Sequence, residues 1–170
     1  METNKITLNF KRAELLYDIG NVCYVTGDVL ATDNLHAQHQ IIDVTEDGNV
    51  DRVTRMLDLI FAEIQQMLSA FSKNAVDDGD MTDDNFAETA TYVMSLSVPD
   101  TMMKVTQNYL EQLIHNLMVD WAVWDWLSFT HPNMKEADIW AIKVENLKSK
   151  INAALLARNK RVRLSQHPFP

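Results

Sequence analysis

Cysteine is almost absent from this chain: Cys23 is the only one in 170 residues. A lone thiol excludes an internal disulfide and a cysteine-cluster zinc site, and it fits a reducing compartment. Its neighbours Val22, Tyr24 and Val25 make a buried, inert thiol the expectation. Glycine is equally sparse, and Gly20, Gly27, Gly48 and Gly79 are too scattered to cradle a phosphate or form a GxSxG elbow. No apolar run approaches the roughly eighteen residues needed to cross a bilayer. Residues 1–10 lack the apolar centre of a signal peptide. The reading is a soluble chain with no membrane partner. No linker rich in Pro, Gly or Ser divides it, so residues 1–157 are expected to be one domain.

What the chain has is charge, unevenly placed. It carries 15 basic and 24 acidic side chains. From Asn146 onward stand Lys148, Lys150, Arg158, Lys160, Arg161 and Arg163 with no Asp or Glu, which leaves 9 basic against 24 acidic before them, a net of −15. That polarity suits a subunit whose basic end meets an acidic neighbour. Pro168 and Pro170 bar a helix at the end, so residues 158–170 are expected to leave the domain as an extended arm. Within it Arg158, Lys160, Arg161 and Arg163 steer, while Leu164 and Phe169 anchor in pockets. A dedicated nucleic-acid reader is disfavoured, because the acidic body repels phosphates.

Hydrophobic period predicts three long helices. Val53, Met56, Leu57, Ile60, Phe61, Ile64, Met67, Leu68 and Phe71 draw one stripe over 50–71, with Asn49 as cap and Gly48 as a turn. A second helix opens after Pro99, capped by Asp100 or Thr101, and runs to about Ser128; it is apolar on more than one side and must pack against more than one element. A third follows Asn133 as cap, buries Trp140, Val144, Leu147, Ile151 and Leu155, and fades near Asn159. The alternations Ile6, Leu8, Phe10 and Tyr92, Met94, Leu96, Val98 read as two short strands able to pair. Lys11–Leu30 fits a helix despite Gly20 and Gly27, and 34–42 a short one. The fold class is therefore mainly α, a small bundle of three to five helices with a two-stranded β-pair and a C-terminal arm.

Candidate chemistry is thin. Asp78, Asp80 and Thr82 alternate in the 77–84 loop as calcium ligands do, but Asp83 occupies the place of the required Gly and Glu88 falls one position early. His36 and His39 have helical spacing without a third ligand. Glu111 and His115 form one i,i+4 pair, for which a local hydrogen bond is expected. Asp120 and Asp125 point about 140° apart on a helix and make no dyad. No catalytic residue, metal or cofactor is assigned. Trp121, Trp124 and Trp140 are read as a core cluster meeting across the turn at 131–133, and Trp126 as the aromatic that faces a partner.

The run from Ser97-Val98-Pro99 through the second helix, its Trp-rich end, the break at Thr130-His131-Pro132, the third helix and the basic arm resembles the C-terminal half of head–tail connector (adaptor) proteins of tailed bacteriophages. The resemblance covers residues 97–170. It implies a non-enzymatic virion protein at the head–tail junction, present in the host cytoplasm during assembly. It implies a homo-oligomeric ring, commonly of twelve copies, beneath the portal protein and in contact with other tail or connector proteins. DNA then passes through the channel without specific binding, and the arm docks on the portal or an adjacent subunit. Two other readings stand beside it: a small bacterial helical-bundle adaptor or regulator that binds one partner through the arm, and an enzyme using Glu111, His115, His36 or His39.

Overall fold

The computed structural model describes residues 3–29, 35–71, 89–99, 102–131 and 135–156. Strand β1 (Thr3–Lys11) runs directly into helix α1 (Arg12–Val29), followed by α2 (Leu35–Ile42), a 3-10 turn over Asp43–Thr45 and α3 (Asp47–Met67). A second 3-10 turn covers Ser69–Phe71; strand β2 (Thr91–Pro99), α4 (Lys104–Thr130) and α5 (Lys135–Leu156) complete the fold. Among the described residues it is mainly α with one two-stranded sheet.

The strands pair antiparallel, Thr3 opposite Pro99 and Lys11 opposite Thr91. Alternation sends Leu8, Phe10, Tyr92, Met94, Leu96 and Val98 to the core and leaves Thr7, Asn9 and Val93 in water. Tyr92 stacks at a tilt on Phe61 of α3, with centroids 5.1 Å apart, and its hydroxyl donates to Asp58 Oδ1 at 2.8 Å. Burial first, then the neighbouring carboxylate, pushes that phenol far above its ordinary range. Arg12 ties the ribbon down from the other side: its N–H donates to the Ala90 carbonyl and its guanidinium to the buried Thr54 hydroxyl at 3.3 Å.

Helix α4 is the central element. Leu110, Leu113, Ile114, Leu117, Met118, Val119, Ala122, Val123, Trp126 and Leu127 are buried around most of its circumference, and it packs on α1, α2, α3 and α5. Each large aliphatic side chain buried this way contributes about 1.5–3 kcal/mol. Val105 and Tyr109 are exposed in the first turns. Helix α5 lies along α4 as a hairpin partner and buries Trp140, Val144, Leu147, Ile151 and Leu155, the stripe its period predicts.

Two helix starts differ from expectation. Helix α4 opens at Lys104, since extended Met103 is its N-cap and the Met103 carbonyl accepts from the Thr106 and Gln107 N–H groups. Asp100 and Thr101 lie outside the described residues, as do Asn133 and the loop at 77–84. Helix α3 opens at Asp47 because the preceding 3-10 turn feeds it directly; Asn49 sits inside the first turn, where its side-chain amide donates to the Asp43 carbonyl at 2.8 Å.

The glycines of α1 have a packing role. A Cβ on Gly27 would lie 2.7 Å from Ile42 Cγ1 and 3.4 Å from the Gln38 carbonyl oxygen, and one on Gly20 would lie 2.8 Å from Thr45 Cγ2. Seven residues apart on one face, they let α2 and its 3-10 extension lie flush against α1.

Candidate functional site: a polar groove and two uncovered helix faces

Because α1 follows β1 without a linker, its first turns are carried across the N-terminal half of α4. His115 Nε2 on α4 lies 2.8 Å from Asp18 Oδ2 on α1. The expected local partner, Glu111, is replaced because the crossing helix brings Asp18 to the imidazole. An open groove of about 590 Å³ runs along this contact between Asn9, Glu14, Asn108, Glu111, Gln112, His115 and Asn116. A neighbouring hollow of about 500 Å³ shares Glu14 and His115 and adds Ala13, Tyr17 and Asp18. Among the described residues the lining is acidic and amide-rich, without Ser, Thr or Cys to serve as a nucleophile. Lys11 holds Glu14 Oε1 at 2.7 Å.

The other titratable candidates stand apart from this groove. His36 and His39 are exposed on α2, with His36 Nε2 3.3 Å from Gln40 Nε2. No group of three or more His, Cys, Asp or Glu side chains among the described residues is placed to hold a metal ion. Cys23 is fully buried on α1, and desolvation pushes its thiol up to about 12. Asp120 is half-buried and desolvation raises its pKa, with Lys143 pulling it down in part; Asp125 is exposed.

The tryptophans divide otherwise than their spacing predicts. Trp126, expected to face a partner, is only 3% exposed; its ring N–H donates to the Ile41 carbonyl at 3.3 Å. The interface role expected of it is corrected to a core role, since α2 covers that side of α4. Trp140 is buried as expected. Trp121 and Trp124 are partly buried at the rim of the core. Lysines from α5 cover two of the indoles: Lys148 Nζ lies 3.9 Å from the Trp121 ring centroid and Lys143 Nζ 3.5 Å from that of Trp140. Phe129 is the exposed aromatic at this end, with the Arg52 guanidinium 3.4 Å above its ring.

Large apolar side chains meet water on several helix faces: Met103, Val105 and Tyr109 at the start of α4, Leu59 on α3, and stretches of α1 and α5. On α1, Tyr17 is 70% exposed and Tyr24 58%, with Val25 and Val29 beside them. Tyr17 and Tyr24, seven residues apart, share the side opposite the buried Leu15 and Ile19, and Val25 and Val29 lie further round the helix. The signal was present in the two tyrosines; it is missed when a helix is read only for its inward positions. On α5, Ile139 is 55% and Ile142 62% exposed, on the side away from α4. Helix α4 lies between the two, packed against α1 and against α5. Residues Arg158, Lys160, Arg161, Arg163, Leu164 and Phe169 lie outside the described residues.

No family model, curated protein or solved structure matches this chain. No helix among the described residues is long and apolar enough to cross a membrane.

Proposed function

We propose that this chain is a structural, non-enzymatic virion subunit: a head–tail connector (adaptor) that assembles as a ring beneath the portal of a tailed phage and joins capsid to tail. The observation that carries the reading is a folded body with large apolar side chains exposed on several helix faces, among them Tyr17 and Tyr24 on α1, Val105 and Tyr109 on α4 and Ile139 and Ile142 on α5. A monomer gains nothing by leaving such side chains in water, whereas a subunit with neighbours on more than one side covers them. The charge division supports the same assignment. A body of net −15 lining a DNA channel does not adhere to phosphates, and the basic segment after Asn146 is drawn to acidic protein surface. The order of segments in residues 97–170, with its resemblance to connector proteins, selects this assembly among ring-forming ones.

The test is light scattering on the full chain, alone and mixed with the portal protein encoded by the same genome. A high-order ring in the mixture is expected, and a mixture in which each protein keeps its own mass would overturn the reading. Truncation after Asn159 is expected to abolish portal attachment while the helical circular-dichroism signal is kept.

A further inference from the structure

We propose that the free edge of β1 takes a third strand, residues 159–165 of a second copy's C-terminal arm, laid antiparallel to residues 5–11 along the groove between β1 and α4. This assignment rests on the ring reading and names the place where the arm docks.

The edge is open in its hydrogen bonding. The Arg12 N–H donates to the Ala90 carbonyl in the same register that sets Lys11 opposite Thr91, so Phe10, Leu8 and Ile6 turn their backbone groups toward β2 while Lys11, Asn9, Thr7 and Lys5 turn theirs outward. The sheet stops at two strands, and among the described residues those outward groups have no backbone partner. Such a row is a template for an added strand. The groove beside it supplies a second wall. Exposed Asn108, Gln112 and Asn116 follow one another at four residues on α4, steps of about 6 Å along the helix, close to the two-residue repeat of roughly 6.6 Å in extended chain. Their amides can bond the far edge of a strand whose near edge is held by β1.

The arm matches this site by residue type. Asn159, Arg161, Arg163 and Ser165 alternate with Lys160, Val162 and Leu164. With Arg161 opposite Asn9, Val162 and Leu164 fall on the core side beside Leu8 and Ile6, and Ile6 is there only partly buried. Lys160 falls beside Phe10 and toward Glu111. In the lining Lys11 already holds Glu14 and His115 already meets Asp18, which leaves Glu111 as the carboxylate without a partner among the described residues. Arg161 and Arg163 then lie on the water side with Asn9 and Thr7, and Ser165 rather than a base stands opposite Lys5. Reversing the strand would bring the basic end of the arm to Lys5, so charge selects the antiparallel direction.

The native thiol makes the test clean, because buried Cys23 is silent toward maleimides in the folded protein. Lys5→Cys places a thiol at an exposed position of the edge strand, and Ser165→Cys places one opposite it in the arm. Full-length single variants are mixed, assembled with portal protein, treated with a short bis-maleimide and resolved on a denaturing gel. The mixture of Lys5→Cys with Ser165→Cys is expected to give dimers, and each variant alone only monomer. Asn159→Cys in place of Ser165→Cys is expected to give at least tenfold less dimer, since six extended residues separate the two sites by roughly 20 Å. Thr7→Pro removes an outward N–H and none that bonds β2; added to the Lys5→Cys chain it is expected to cut the dimer yield at least tenfold with an unchanged circular-dichroism spectrum. Equal dimer yields from Asn159→Cys and Ser165→Cys would overturn the strand addition. So would a Lys5→Cys, Ser165→Cys double variant that links only within its own chain. Assembled rings that give no dimers and ignore Thr7→Pro would discard this docking site and leave the connector reading standing. A wild-type chain that never changes mass with portal protein removes both.

Discussion

At the scale of single residues, Asp120 shows how burial sets a titration. Desolvation on the flank of α4 raises its carboxyl pKa, and Lys143 offsets this only in part. An Asp whose folded pKa lies above its unfolded value of about 3.9 is a cost to the native state once ionised. The cost is full above the folded pKa and fades as pH falls toward the unfolded one. Asp120→Asn is therefore expected to raise Tm at pH 7, with the difference from wild type shrinking as pH is lowered to about 4. Thermal unfolding followed by circular dichroism at both pH values measures this; an equal Tm at pH 7 would show that the carboxylate is solvated in the folded protein. Trp126 and Tyr92 follow a related rule, since each large ring is buried with its polar atom bonded to a named acceptor.

At the scale of elements, the α1–α2 contact depends on what its glycines omit. Adding a methyl at Gly27 gains about 1 kcal/mol of helix propensity but forces Ile42 Cγ1, 2.7 Å away, to give way, a strain of about 1–3 kcal/mol. Gly27→Ala is expected to lower stability by about 1 kcal/mol in urea unfolding. Gly20→Ala meets only the exposed Thr45 side chain, which can rotate, and is expected to be neutral or stabilising by up to about 1 kcal/mol. The periodic elements themselves were legible in the sequence. The stripe of α3, that of α5 and the alternation of both strands each depend on local spacing alone, and each was found where the period put it. Helix starts were not, because Met103 caps with its backbone and the Asp43–Thr45 turn runs into α3; neither has a side-chain signature. The sidedness of the tryptophans and the Asp18–His115 contact were hidden for another reason. A helical wheel says which residues share a face but not which neighbour lies over it, and α2 and α1 decide those two cases.

At the scale of the whole molecule, the polar groove around His115 borders the exposed face of α1, since Tyr17 lines its neighbouring hollow, while the amide-rich lining at Asn108, Gln112 and Asn116 belongs to α4. The ribbon of β1 and β2 has a different importance at this scale. By joining residue 3 to residue 99 it closes a loop containing α1, α2 and α3. Such a closure costs about 4 kcal/mol of chain entropy before any strand pair rewards it, whereas the α4–α5 hairpin needs only a short connection. The hairpin should nucleate the fold and the ribbon should zip late. In stopped-flow kinetics Leu117→Ala is accordingly expected to slow refolding, while Met94→Ala leaves refolding almost unchanged and accelerates unfolding. The strand pair is then the latch that sets how long the native chain survives, rather than the seed from which it grows.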